Sequence, residues 1–374
     1  MATRDQEQAG IDISASLRRI LSKVDRNHDQ LISDMEIEEA VLDESIMDID
    51  AFWVAFLKAY FKTIKKSERK FWFLPSRGLK LDEITTYCSK RLGHDFEPNV
   101  HIEERNAFAH EQPLKDIKPE AVEQGTVGNC YFMATLASVA KTNPQIIQRI
   151  LHMNEDGTYT ITFPGARDEP ITVPRPTDVE LILYAQATKY GIWAPIIEKA
   201  YGEYLSNHAV GKSRISAENT GNATERVHHA MDLLTGQTGR WANIPAKSAE
   251  ELLEILDDAT AQKRILVAVT DGHDDSHENK QGIPELHAYS VIDWDTKHDV
   301  ITLRNPWGSR KLGEPHSADG HALDGKTDGV FRMSLQQFRQ TFAVLFYEEW
   351  TPDENYIDVG HAPPRAVVTY IKRK

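Results

Sequence analysis

Cys130 stands where a cysteine can act as a nucleophile. It follows a polar, glycine-containing loop that starts at Gln124, and it precedes the apolar run 131–140, a pattern that predicts a helix beginning at the cysteine. A thiol in the first turn of a helix feels the positive end of the macrodipole, which favours the thiolate. A lone cysteine is more often a small buried side chain, so nucleophilic chemistry requires a base and an orienting group elsewhere.

Two strand-like segments supply these groups. Residues 286–292 carry His287, and residues 300–308 carry Asn305. The polar stretch 293–299 between them predicts a turn, so a hairpin would bring the two side chains together. Cysteine, histidine and asparagine then form a nucleophile, a base and an orienting group. The simpler alternatives are a core histidine at 287 and an ordinary turn residue at 305.

These segments resemble the calpain-like cysteine proteases, whose core is a two-lobed variant of the papain fold. QGTVGNCYFMATLASVA (124–140) is similar to the family's cysteine segment, HAYSV (287–291) to its histidine motif and LRNPWG (303–308) to its asparagine motif. Asn129 and Tyr131 replace the usual aspartate and tryptophan beside the cysteine. Supporting segments at 192–204, 231–236 and 328–338 follow in the family's order, so the resemblance covers residues 95–350.

The resemblance implies a cysteine endopeptidase that hydrolyses peptide bonds of protein or peptide substrates through a thioester acyl-enzyme. Cys130 would be a thiolate paired with an imidazolium at His287, and Asn305 would hold the imidazole ring. The Cys130 N–H and the Gln124 side-chain amide would stabilise the oxyanion. Two other functions stay open. One is a catalytically inactive calpain-like adapter, and the other is a Cys-His acyl transferase that passes the acyl group to an amine.

A second motif lies near the start of the chain, where residues 25–36 fit the twelve-residue calcium loop of an EF-hand. Its oxygen donors would be Asp25, Asn27, Asp29, the Leu31 carbonyl, Ser33 and Glu36. Gln30 occupies the sixth position, where glycine normally provides a positive φ, and a side chain there costs about 1 kcal/mol. The loop therefore predicts a Ca²⁺ site of reduced affinity, and an acidic loop that binds nothing is the alternative.

The segment 72–83 resembles a partner loop that has lost its ligands, because Trp72, Leu74 and Ser76 stand where acids belong. We therefore expect an α+β protein in which a small all-α EF-hand pair (1–94) precedes a papain-like, calpain-type core. The core would consist of a mainly helical lobe with the cysteine (95–206) and a strand-rich lobe with the histidine and asparagine (207–350). A tail (351–374) would follow.

Calcium within the protease lobes is not expected. Animal members of the family hold calcium there through acidic side chains, whereas Ala121, Lys311 and Val330 occupy such positions in this chain, and only Glu198 and Asp328 remain. The resemblance thus implies a core that assembles without calcium. Any calcium effect would enter through the N-terminal loop, as activation, inhibition or stabilisation.

Composition limits the partners. The net charge of −14, from 57 acidic and 43 basic residues, argues against a nucleic-acid partner. With Cys88 and Cys130 as the two cysteines, a disulfide framework is not expected and a reducing compartment is favoured. The sequence contains no run of 18 apolar residues and no apolar N-terminal signal, so we expect a cytoplasmic protein without a membrane span. The sequence does not indicate an oligomeric state.

Overall fold

The structure contains helices before residue 92 and most of its strands after residue 238. The computed structural model describes residues 13–349, except 68–77, 93–101, 103, 209–222, 274, 309–314 and 317–322. None of the helices in this part of the chain is long and apolar enough to cross a bilayer. Four predictions concern residues outside the described ranges: the first half of the second loop (72–77), most of the lobe boundary (209–222), Lys311 and the tail (351–374).

The helices of the described residues are α1 (Ile13–Val24), α2 (Asp34–Val41), α3 (Asp48–Ser67), α4 (Leu81–Leu92), α5 (Cys130–Thr142), α6 (Pro144–Ile150), α7 (Asp178–Leu183), α8 (Trp193–His208), α9 (Ala223–Thr235), α10 (Ala249–Ala261) and α11 (Leu335–Thr341). The strands are β1 (Leu31–Ile32), β2 (Leu79–Lys80), β3 (Leu151–Met153), β4 (Tyr159–Ile161), β5 (Ile171–Val173), β6 (Gly239–Asn243), β7 (Leu266–Val269), β8 (Ala288–Asp295), β9 (Val300–Arg304), β10 (Val330–Ser334) and β11 (Val344–Glu348).

The first compact unit, here called the helical unit, contains α1 to α4. Strands β1 and β2 pair antiparallel within it, with Ile32 opposite Leu79, which brings together residues 31–32 of the first predicted loop and 79–80 of the second. A reciprocal capping box between Ser33 and Glu36 starts α2. Buried Trp53 and Phe56 line α3, in contact with each other edge to face.

The helical unit also contains residues 176–184, which the sequence places in the first protease lobe. This segment carries α7 and is capped by its own box between Thr177 and Glu180. The Thr177 hydroxyl donates a 2.6 Å hydrogen bond to the carbonyl of Val41, the last residue of α2. The N–H of Asp48 at the start of α3 donates to Asp178 at 3.3 Å. The chain thus leaves the second unit at residue 175 and returns to it at residue 185.

The second unit, here called the sheet unit, spans residues 103–175 and continues from residue 185. A small antiparallel sheet has the order β3-β4-β5, and a six-stranded sheet has the order β10-β9-β8-β7-β11-β6. Every neighbouring pair in the larger sheet is antiparallel. The mixed helices and sheets agree with the α+β class expected from the sequence.

The two faces of strand β8 contact different elements. Tyr289 and Val291 enter an apolar cluster with Leu252 of α10 and Phe338 of α11. Ser290, which points the other way because side chains alternate along a strand, donates a 2.8 Å hydrogen bond to the Ala134 carbonyl in α5. The helix that begins at Cys130 is therefore fastened to the strand that follows His287.

The predicted strands agree with the structure except at one turn. The strand-like segments predicted at 286–292 and 300–308 correspond to β8 and β9, and the lobe predicted to be strand-rich also contains β7 and β11. The turn predicted at 293–299 is shorter, because β8 continues through Asp295 after an irregularity between Val291 and Asp293. A bulge of this kind lets a polar residue remain in a strand without breaking the pairing.

Candidate active site

Cys130 opens α5, as the sequence predicts. The carbonyl of Asn129 accepts the N–H groups of Phe132 and Met133 at 2.8 and 3.1 Å, which forms the first turn. Residues 131–140 are all buried, whereas Cys130 itself is partly exposed. The cysteine is therefore held on a rigid buried helix with its own side chain at the accessible end.

His287 immediately precedes β8 and is fully buried. Its N–H donates to the Thr270 hydroxyl at 3.0 Å, and its carbonyl accepts the Thr270 N–H at 3.0 Å. Leu286 before it has a φ of 45°, a left-handed conformation that costs a non-glycine residue on the order of 1–3 kcal/mol. Thr270, which follows β7, thus holds the backbone of His287 through both its N–H and its carbonyl.

The structure places His287 and Asn305 in direct contact, at 3.0 Å between Nε2 and Oδ1. The same Oδ1 accepts the backbone N–H of Trp307 at 2.9 Å, so it is the amide oxygen that faces the ring. Nε2 must then carry the proton, which leaves the lone pair on Nδ1. Trp307 lies against the imidazole with ring centroids 4.3 Å apart and covers this contact.

The environment of the Cys130 sulfur favours the neutral thiol. Burial raises the pKa of Cys130 to about 12, and the negative charge of Asp275 adds to the effect, while the N–H of Ala288 bonded to the sulfur acts in the opposite direction. Loss of hydration therefore opposes the thiolate and imidazolium pair that the resemblance implies, and that pair remains a prediction. The Ala288 contact nevertheless places the sulfur beside the residue that follows His287.

Gln124 is buried on the loop before Cys130. Its N–H donates to the Pro306 carbonyl at 2.7 Å, which joins the loop to the segment of Asn305. Its side-chain amide, expected to be an oxyanion donor, donates to the Val127 carbonyl at 2.7 Å. This amide is thus engaged within the loop, next to the cysteine.

Two buried charged residues that the sequence did not assign to the site support it. Arg304 ends β9 and donates to the Val122 carbonyl at 2.8 Å, two residues before Gln124. Glu198, seen in the sequence as a remnant of a calcium site, accepts the Asn129 side-chain amide at 2.7 Å. A charged residue inside an apolar helix was the available signal for Glu198, since such residues are rarely buried without a partner.

The N-terminal loop has the conformation that its sequence requires. Gln30 has a φ of 64°, the positive value expected at the sixth position. Asp25 accepts the N–H groups of Asp29 and Gln30, and Glu36 accepts those of Arg26 and Ser33. Burial opposes ionisation of Glu36, but these N–H donors and the Ser33 hydroxyl hold its pKa below the usual value.

The donor set of this loop consists of carboxylate, amide, hydroxyl and carbonyl oxygens, which suits a hard cation such as Ca²⁺. In the structure these oxygens bind N–H groups of the loop itself. Among the described residues, no group of three carboxylate, imidazole or thiol side chains is gathered to hold a metal ion. The donor chemistry fits calcium, because a carboxylate that accepts an N–H keeps further lone pairs for a cation.

Comparison with known proteins identifies the family. The profile described as calpain family cysteine protease matches residues 103–347, which include the cysteine, histidine and asparagine segments. The chain therefore belongs to the calpain family of cysteine proteases. Similar proteins include human Calpain-14, 25% identical over 293 residues, and the Calpain-type cysteine protease DEK1 of Arabidopsis thaliana, 26% identical over 257 residues.

Rat Calpain-13 is 25% identical over 264 residues. These matches cover 70%, 62% and 60% of this chain but only 40%, 11% and 36% of the human, Arabidopsis and rat proteins, respectively. The chain thus spans less than half the length of each of these relatives.

The neutral thiol makes a prediction about reactivity. Because the thiolate is the reactive form, alkylation of Cys130 by iodoacetamide in the resting protein should keep accelerating as the pH rises beyond about 9. Peptide mass spectrometry after a short exposure measures this rate, and Cys130→Ala gives the background from Cys88. A rate that has already reached its plateau below neutral pH would instead reveal a preformed thiolate and imidazolium pair.

Proposed function

We propose that the chain is a cysteine endopeptidase that cuts exposed, extended segments of protein substrates. The main support is the hydrogen bond between His287 and Asn305, next to the Ala288 N–H that bonds to the Cys130 sulfur. Membership of the calpain family supports the same reaction class. Activity, substrates and partners of the whole protein are part of this proposal, because the relatives are distant and much longer.

The first step is proton transfer from Cys130 to His287. Nε2 of the imidazole is committed to Asn305, so Nδ1 accepts the thiol proton as the sulfur attacks the peptide carbonyl. As the sulfur attacks, the negative charge passes to the carbonyl oxygen while the proton moves to Nδ1, so no free thiolate has to form in the desolvated site. His287 acts as a general base in this sequence of events, and the ion pair forms during the reaction.

The second step is collapse of the tetrahedral intermediate. The Cys130 N–H and the side-chain amide of Gln124 stabilise the oxyanion, and removing one such donor typically costs about 3 kcal/mol of the barrier. His287 returns its proton to the leaving amine, which leaves a thioester on Cys130. Water then attacks the thioester with His287 as the base, releases the carboxylic acid and restores the thiol.

Substitution of the reacting residues tests this proposal. Cys130→Ala and His287→Ala should lower cleavage of unfolded casein by about a thousandfold or more, because each removes a group that the reaction cannot replace. Cys88→Ala is the matched control and should retain the wild-type rate, since Cys88 is a buried residue of α4 in the helical unit.

Equal cleavage by wild type and Cys130→Ala would refute a peptidase that depends on this cysteine. Incorporation of a labelled amine in preference to hydrolysis would favour the acyl transferase. A wild-type protein that neither cleaves casein nor reacts with a peptidyl epoxide would favour the adapter.

We further propose that the loop 25–36 binds Ca²⁺ and that binding modulates the protease through α2 and α7. Asp25, Asn27, Asp29, Ser33, Glu36 and the carbonyl of Leu31 would hold the ion. Within the helical unit, α2 follows the loop directly and its last carbonyl, that of Val41, accepts the Thr177 hydroxyl. The chain re-enters the sheet unit just after α7. The hydrogen bond from Thr177 and the peptide chain that continues from α7 therefore connect the loop to the protease region.

Calorimetric titration with CaCl₂ tests the metal proposal without any enzyme assay. Wild type should give saturable heat for one site, and Glu36→Gln should lose it, because a neutral amide cannot act as the bidentate carboxylate ligand. Glu44→Gln makes the same charge change at an exposed residue outside the loop and should titrate like wild type. The absence of heat in the wild-type protein would refute the calcium site.

A further inference from the structure

Glu198 is a fully buried carboxylate in the middle of α8, and the proposed reaction does not use it. Both of its oxygens accept hydrogen bonds. Oε1 accepts the Asn129 side-chain amide at 2.7 Å, and Oε2 accepts the backbone N–H of Ala185 at 2.5 Å. The carboxylate therefore joins the residue before Cys130 to the point where the chain returns from α7.

Burying an ionisable carboxyl group at this position costs desolvation free energy. Burial raises the pKa of Glu198 to about 8, while the N–H groups of Ala185 and Asn129 act against that shift. Its neighbours Ile196 and Ile197 on α8 are fully buried and apolar, and an apolar residue would fill the space at a lower desolvation cost. Its presence is explained if the two hydrogen bonds have a role beyond packing.

Asn129 indicates what that role is. It occupies the N-cap position of α5, where a side chain usually bonds to an N–H of the first turn, yet its side chain forms no such bond. Its amide instead donates to Glu198, while its carbonyl receives the N–H groups of Phe132 and Met133. The position of Asn129 thus fixes the first turn of the helix that carries the nucleophile.

The residue after Glu198 acts on the same stretch of chain. Lys199 is buried and donates from Nζ to the Arg175 carbonyl at 3.3 Å. Residues 175 and 185 are the last and first residues of the sheet unit on either side of the segment 176–184. Adjacent charged residues of α8 therefore bond to both ends of that segment, and Glu198 also bonds to Asn129.

We infer that Glu198 is a positioning residue that fixes Asn129, and through it the first turn of α5, so that the Cys130 sulfur is held in reach of His287. This inference rests on the proposed peptidase function for its kinetic consequence. Its structural consequence, an ordered first turn of α5, stands without that function. A displacement of reacting groups on the order of 1 Å can lower a rate by about a hundredfold, which sets the scale of the expected effect.

The test begins with Glu198→Gln and a matched control. Glutamine keeps the size of the side chain but can accept only one of the two bonds and directs an N–H toward the Asn129 amide. Glu348→Gln is the control, because Glu348 is also a buried carboxyl that accepts a backbone N–H, that of Ile265. It lies near the Leu266 end of β7, away from the Thr270 end that holds His287.

For Glu198→Gln we expect kcat to fall by about tenfold to a hundredfold with KM nearly unchanged, because the reacting geometry is lost while substrate contacts remain. Hydrogen exchange measured by mass spectrometry on the peptide 125–135 should accelerate. Glu348→Gln should change neither quantity. If Glu198→Gln matches the control in both measurements, the inference is wrong.

A second variant separates positioning from general destabilisation. The double variant Asn129→Asp with Glu198→Gln restores both hydrogen bonds. The amide N–H of residue 198 can donate to the carboxylate at residue 129, which reverses the direction of that bond, and its amide oxygen can still accept the Ala185 N–H. We expect this pair to recover most of the lost kcat and the slow exchange, whereas Asn129→Asp alone leaves two acidic groups facing each other and should not. No recovery in a folded double variant would overturn the inference.

The outcomes also separate this inference from the proposed function. Absence of Cys130-dependent cleavage in the wild type refutes the peptidase, and the exchange measurement still decides whether Glu198 orders the start of α5. Normal cleavage together with unchanged exchange in Glu198→Gln retains the peptidase and removes the positioning role.

Discussion

The candidate site depends on the junction between α5 and β8. The nucleophile and the base lie far apart in the sequence, and this junction supplies the contacts between their elements: the Ser290 hydroxyl on the Ala134 carbonyl and the Ala288 N–H on the Cys130 sulfur. Each side is braced by a separate set of bonds. Thr270 holds the backbone of His287, and Glu198 holds the side chain of Asn129. The positions of the reacting groups thus depend on several short hydrogen bonds inside an apolar unit.

The same burial that makes the site rigid also sets its chemistry. Burial removes hydration from a thiolate at Cys130, and the Ala288 N–H offsets only part of this loss, so the pKa of the thiol is raised. The proton must then move when substrate is bound. A tautomer of His287 with its proton on Nε2 is ready for that transfer, since Asn305 and Trp307 together fix which nitrogen carries the lone pair.

The sequence was sufficient to predict the secondary-structure elements and the motifs. It was insufficient to predict the pKa values and side-chain hydrogen bonds around them. β-favouring apolar residues predicted β8 and β9, and the hairpin between the two motifs predicted the contact of His287 with Asn305. The neutral thiol and the bond from Gln124 to Val127 were missed, because desolvation and side-chain rotamers depend on residues brought together by the fold.

The grouping of α7 with the helical unit was not predicted for a different reason. Its local pattern is that of an ordinary short helix, and only the tertiary bond from Thr177 to Val41 reveals its partner. Glu198 was noticed but was interpreted as part of a lost calcium site. Its role changes once the structure places it on Asn129.

Covalent labelling by a peptidyl epoxide, followed by intact-mass and peptide mass spectrometry, shows whether Cys130 and His287 act together. We expect one adduct on Cys130, strongly slowed labelling in His287→Ala, and no adduct on Cys88, which is fully buried and has a pKa raised to about 12 by burial. Labelling of Cys130 at the same rate with and without His287, or preferential labelling of Cys88, would contradict a site in which the cysteine and histidine act together.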